Sequence, residues 1–130
     1  MILDSSALVA VVLREPGFER LLAAMKTSAP LGIGAPTLVE VLLVLTRKFH
    51  GDPKAEVFRL LRALEVEVIP FAEEHCLVAQ RAYTRYGKGR HPAALNFGDC
   101  MAYATAKVAD IPLLFVGADF GKTDVAAALK

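Results

Sequence analysis

Apolar and polar positions come in blocks whose period changes in a regular order along the chain. Met1-Ile2-Leu3 is a short apolar run, read as a strand ending at Asp4, and Ser5 to Leu13 reads as a helix. Glu15-Pro16-Gly17 breaks that helix, and Phe18 to Met25 forms a second, with Leu21, Leu22 and Met25 on one face. Leu31 to Gly34 reads as another short strand. Pro36 suits the first turn of a helix that carries Leu38, Val41, Leu42, Leu45 and Phe49 inward. Gly51 stops it. Asp52-Pro53 pairs an N-cap side chain with a proline at the first helical position, opening a helix that reaches about Leu64.

Val66 to Ile69 is a strand closed by Pro70, and Ala72 to Tyr86 is a helix with Val78, Ala79, Ala82, Tyr83 and Tyr86 on its apolar side. A loop from Gly87 to Pro92 follows, then a helix from Phe97 to Ala109, an apolar strand from Pro112 to Val116, and a short last helix beginning near Thr123-Asp124. Strands separated by helices predict parallel pairing through right-handed crossovers. The expected fold is α/β: a single domain over residues 1–130, with three layers and a central parallel sheet flanked by helices. Ligands in such sheets bind beyond the carboxyl ends of the strands.

Composition narrows the function classes. With 55% hydrophobic and 22% charged residues the chain is not intrinsically disordered. The run Ala7 to Leu13 is far short of a membrane span, and no basic segment precedes it as in a signal peptide. Cys76 and Cys100 are too isolated for a disulfide framework or a paired-cysteine metal site, and are expected to be small buried groups in a reducing, cytoplasmic setting.

Four carboxylates stand where chemistry is plausible, each with a plainer alternative. Asp4 follows the first strand and is either a crevice ligand or a helix N-cap. Glu40 lies in a helix that is apolar nearly all round. Buried there it needs a partner or a cation, since Val44 and Pro36 at helical spacing offer none; otherwise it shares a solvent stripe with Thr37 and Arg47. Asp99 sits beside Gly98, which admits close approach, and is also an ordinary first-turn acid. Asp119 follows the last apolar strand and is also a common turn residue. Converging in one crevice, such acids would require a cation, and oxygen ligands without His or Cys select Mg²⁺ or Mn²⁺. That site suits metal-assisted hydrolysis of a phosphodiester. Ser6 either orients a ligand there or caps the helix.

Between Glu74 and Asp99 the chain carries no acid but holds Arg81, Arg85, Lys88, Arg90 and His91, interleaved with Tyr83 and Tyr86. Such a strip is either a phosphate-backbone contact or a solvated face. In the first case Arg85, Lys88, Arg90 and His91 are the candidate residues for binding a nucleic-acid backbone. A phosphotransfer enzyme would also place an Asp after a strand, but Ser6 stands where a second acid is wanted. A docking module without catalysis is the remaining alternative.

The opening Met1-Ile2-Leu3-Asp4-Ser5-Ser6-Ala7-Leu8, then Pro36-Thr37-Leu38-Val39-Glu40-Val41, Tyr86 to His91, Leu95-Asn96-Phe97-Gly98-Asp99-Cys100 and Leu113 to Phe120 occur in an order and spacing that resembles the PIN-domain ribonucleases, specifically VapC-type toxins of toxin–antitoxin pairs. The resemblance covers nearly the whole chain. It implies a PIN fold and Mg²⁺- or Mn²⁺-dependent endoribonuclease activity. It also implies an acidic metal pocket of Asp4, Glu40, Asp99 and Asp119 with Ser6 assisting, a homodimer, and a cognate antitoxin whose C-terminal segment blocks the pocket. Ala118 departs from the pattern, since relatives often carry a polar or acidic residue there. Next to that departure the resemblance offers Asp119 as the ligand, with Asp124 either its substitute or a helix cap.

Overall fold

The computed structural model describes residues 1–129. Four short strands form one all-parallel sheet in the order β3-β2-β1-β4: β1 Ile2–Leu3, β2 Leu31–Gly34, β3 Val66–Ile69 and β4 Leu113–Leu114. The helices between them are α1 Ser5–Val12, α2 Phe18–Thr27, α3 Ala35–Lys48, α4 Lys54–Ala63, α5 Glu73–Tyr86 and α6 Phe97–Ala109. Parallel strands cannot be joined by tight turns, so each crossover carries at least one helix.

Side-chain alternation on the strands divides the core between the two faces of the sheet. Leu3, Leu114, Leu31 and Ile33 pack with residues of α1 to α4, whereas Ile2 and Leu113 pack with α5 and α6. This gives the expected three layers. Gly34 explains how closely α6 lies on the sheet, because a Cβ there would come within 2.5 Å of Thr105 Oγ1. Among the described residues no helix is long and apolar enough to cross a membrane.

Several sequence expectations need correction. The last strand is shorter than Pro112–Val116, because past Leu114 the chain leaves the ladder and the Val116 N–H turns to Ser6 Oγ at 2.9 Å. No helix begins at Thr123-Asp124. A single 3₁₀ turn spans Phe120–Lys122, and beyond it Leu113 N–H donates to Ala126 O at 2.8 Å and Ala128 N–H to Leu113 O at 2.9 Å. Residues 126–128 are thus drawn out beside β4. The helix opened by Asp52-Pro53 begins one residue later than its proline, with Asp52 Oδ1 accepting from Lys54 N–H at 2.9 Å.

Burial differs at particular positions too. α3 is not enclosed: Val39 and Leu43 are 53% and 60% exposed, while Thr37, placed on a solvent stripe by one reading, is 1% exposed. Tyr83 is exposed rather than on the inner side of α5, because Ala79, Ala82 and Tyr86 take that face. Cys76 is exposed, and only Cys100 is buried.

Leu8 is fully buried under the sheet. Leu8→Ala is expected to cost about 2–5 kcal/mol, the range for leaving a cavity in a packed core, read from the urea midpoint.

Candidate active site

The acids lie where strands end and helices begin. Asp4 is the residue after β1 and the N-cap of α1; its Oδ2 accepts from Ser6 N–H at 3.0 Å and from Ser6 Oγ–H at 2.6 Å. The cap reading of Asp4 therefore holds for one of its two oxygens. Oδ2 caps the helix. Oδ1 is buried with no hydrogen-bond partner among the described residues, in a residue only 3% exposed. An orphaned carboxylate oxygen inside a protein is costly unless something positive meets it.

Ser6 is not the cap, since Asp4 holds that position and Ser6 is the second residue of α1. Its Oγ donates to Asp4 and accepts from Val116 N–H, so one hydroxyl ties the ends of β1 and β4 together beside the carboxylate.

Asp99 is the third residue of α6 and is held by a reciprocal capping box. Its N–H donates to Asn96 Oδ1 at 2.9 Å, and its Oδ2 accepts from Asn96 N–H at 3.0 Å. The second oxygen is left out of this exchange. The spacing Asn96-Phe97-Gly98-Asp99 carried that signal in the sequence, and the role of Asn96 was missed there.

Glu40, on the second turn of α3, is half-buried and reaches across to α6. A Cβ built on Gly98 would lie 2.9 Å from its Cδ and 3.0 Å from Oε1, and closer still to Oε2. Its carboxylate thus lies against the backbone beside Asp99. Asp119 follows Gly117, whose φ of +103° turns the chain after β4, and is exposed.

Charge links the four. Asp4 is pushed up to about 6, first by burial, then by Asp99 and Glu40, with the Ser6 hydrogen bonds opposing. Asp99 is also raised, by burial first and then by Glu40 and Asp119, against the Asn96 bond. Among the described residues the side chains are not drawn into a closed group of three or more metal ligands. Like charges at this range repel one another unless a cation offsets them. The donors are all carboxylate oxygens, one of them buried and orphaned, which fits a hard divalent cation.

Asp124 is no helix cap, and its carboxylate is taken up by other side chains. Tyr103 Oη–H donates to its Oδ1 at 2.5 Å, and Lys107 and Arg85 approach its Oδ2 at 3.3 and 3.6 Å. Asp119, in contrast, acts on Asp99.

The basic residues stand apart from this cluster. Arg85 pairs with Asp124 and lies over the Tyr86 ring at 4.8 Å, and Arg90 lies over Tyr83 at 5.4 Å. His91 is half-buried edge-on to Tyr86, with Nδ1 accepting from Ala93 N–H. Lys88 is exposed, its N–H fixed to Leu95 O. The neighbouring charges that act on Asp4 and Asp99 are all acidic.

Comparison with known proteins adds to this geometry. The PIN domain family matches residues 1–126. Ribonuclease VapC36 of Mycobacterium tuberculosis is 49% identical over 127 residues, covering 96% of this chain and 91% of its own. Among solved structures, M. tuberculosis VapC20, a toxin that cleaves the sarcin–ricin loop, superposes with a TM-score of 0.76 at 13% identity, covering 96% of this chain and 95% of that one. A toxin–antitoxin complex from Klebsiella pneumoniae gives 0.71 at 17% identity, covering 99% and 98%.

In metal-free protein the raised Asp4 value sets a pH dependence. The folded chain keeps a proton that the unfolded chain releases near 3.8, so stability falls as pH rises from about 4 to about 6 and stays reduced above. Asp4→Asn is therefore expected to gain on the order of 1–3 kcal/mol at pH 7.5 in EDTA and nothing at pH 3.5. Urea titrations of both proteins at the two pH values measure this. An equal effect at both would show that Asp4 is not strained by its charge.

Proposed function

From its place in the PIN-domain family, to which this chain belongs alongside the VapC ribonucleases, we propose that it is a Mg²⁺- or Mn²⁺-dependent endoribonuclease and the toxin of a toxin–antitoxin pair. The observation that carries the metal-dependent reading is the buried, unpartnered Asp4 Oδ1 at the centre of an acidic cluster. Asp4, Asp99, Glu40 and Asp119 would hold the cation. Bound there, it supplies Lewis acidity toward the scissile phosphate and the water that attacks it.

The chain's own residues do the positioning. Ser6 fixes the Asp4 carboxylate through Oδ2 and so leaves Oδ1 turned to the site. Asn96 does the same for Asp99. The first turn of α1 begins at Asp4 and that of α6 holds Asp99, so the positive ends of two helix dipoles lie beside the acids and partly offset their repulsion. Arg85, Lys88, Arg90 and His91, outside the cluster, would meet the RNA backbone away from the scissile bond.

The antitoxin is proposed from the Klebsiella complex, which contains a toxin of this fold with its antitoxin. A homodimer is proposed as well, since Val39, Leu43, Leu77 and Phe97 leave apolar surface open. The free cysteines suit a reducing cytoplasm.

The test is cleavage of total RNA by antitoxin-free protein in Mg²⁺, in Mn²⁺ and in EDTA. Discrete cleavage that needs the metal is expected. It should fall by more than about 100-fold in Asp99→Asn and by about 10–100-fold in Ser6→Ala, the range for residues that orient metal ligands. Asp124→Asn should retain full cleavage while losing about 1–2 kcal/mol of stability with its Tyr103 hydrogen bond. Full activity in Asp99→Asn would rule out the site.

A further inference from the structure

We propose that Gly98 is a positioning residue: the missing side chain at 98 sets where the Glu40 carboxylate stands beside Asp99. The inference rests on the acidic pocket proposed above and adds to it the residue that gives Glu40 its place. Gly98 lies in the first turn of α6 with no left-handed φ, so the backbone does not call for glycine. Alanine suits a helix better. The space around it does call for glycine. A Cβ at 98 would fall 2.9 Å from Glu40 Cδ and 3.0 Å from Oε1, and nearer to Oε2, with no other atoms among its three nearest.

What the Cβ would meet is the far end of a flexible side chain, not backbone. A side chain at 98 therefore does not forbid the fold; it moves the Glu40 carboxylate. That carboxylate acts by charge on both Asp4 and Asp99, so moving it changes the pocket while leaving the two cores untouched. Glu40 comes from α3 and Asp99 from α6. The contact at Gly98 is thus where the spacing of two helices becomes the spacing of two carboxylates.

The experiment is a double-mutant cycle of wild type, Gly98→Ala, Glu40→Ala and the double variant, read by Mn²⁺ calorimetry and by thermal midpoint in EDTA. Gly98→Ala is expected to weaken Mn²⁺ binding about 10-fold or more, the scale for displaced ligand supports, and to add nothing once Glu40 is alanine. The thermal midpoint should rise with Gly98→Ala only in the Glu40→Ala background, where the helix gains without displacing a carboxylate. Unchanged Mn²⁺ affinity in Gly98→Ala, or the same loss in both backgrounds, overturns the proposal. If wild type binds no Mn²⁺, the metal reading fails on its own. The thermal cycle then decides the contact: coupled effects retain the role of Gly98, and additive effects reject it.

Discussion

One buried carboxylate organises this molecule. Asp4 ends an interior strand of the sheet, so its backbone is committed to pairing and its side chain enters a site that water barely reaches. A bare carboxylate there is expensive. The fold offsets part of that cost with two hydrogen bonds from Ser6 and with the start of α1, and leaves one oxygen unanswered. Ser6 in turn holds Val116, so the same hydroxyl that steadies the acid fixes the departure of the chain from β4 toward Asp119.

The other acids reach that point by different routes. Asp99 arrives on the first turn of α6, locked by Asn96; Glu40 crosses from α3 through the gap left by Gly98; Asp119 follows a turn after β4. Asp99 and Glu40 raise the proton affinity of Asp4, and Glu40 and Asp119 raise that of Asp99. The arrangement trades stability for a concentrated negative potential, as is common where function needs strain. Arg85, Arg90 and His91 are engaged with Asp124, Tyr83 and Tyr86, and the charges that act on Asp4 and Asp99 are all acidic.

Much of this was legible in the sequence because local chemistry and global fold agree. The strand and helix order followed from periodicity, and the acids stood out by their position after strands or inside apolar helices. What was not legible depends on contacts between distant segments. Nothing local shows that Leu113 will pair with Ala126 and Ala128, which draws out residues 126–128 and leaves no helix at Thr123. Asp124 reads as a substitute ligand or a helix cap, and only the fold surrounds it with Tyr103, Lys107 and Arg85. The exposure of Tyr83, Val39 and Leu43 depends on which helix faces the sheet leaves uncovered, which periodicity alone does not determine. Asn96, three residues before Asp99, has the spacing of a capping box, and that signal is local and legible in the sequence.

The most direct measurement is an anomalous-scattering map of crystals grown with Mn²⁺. The account predicts a peak at Asp4 Oδ1, shared with the free oxygen of Asp99 and flanked by Glu40. A well-ordered structure with no peak there, or with manganese bound only at Asp124 or on the surface, would contradict it.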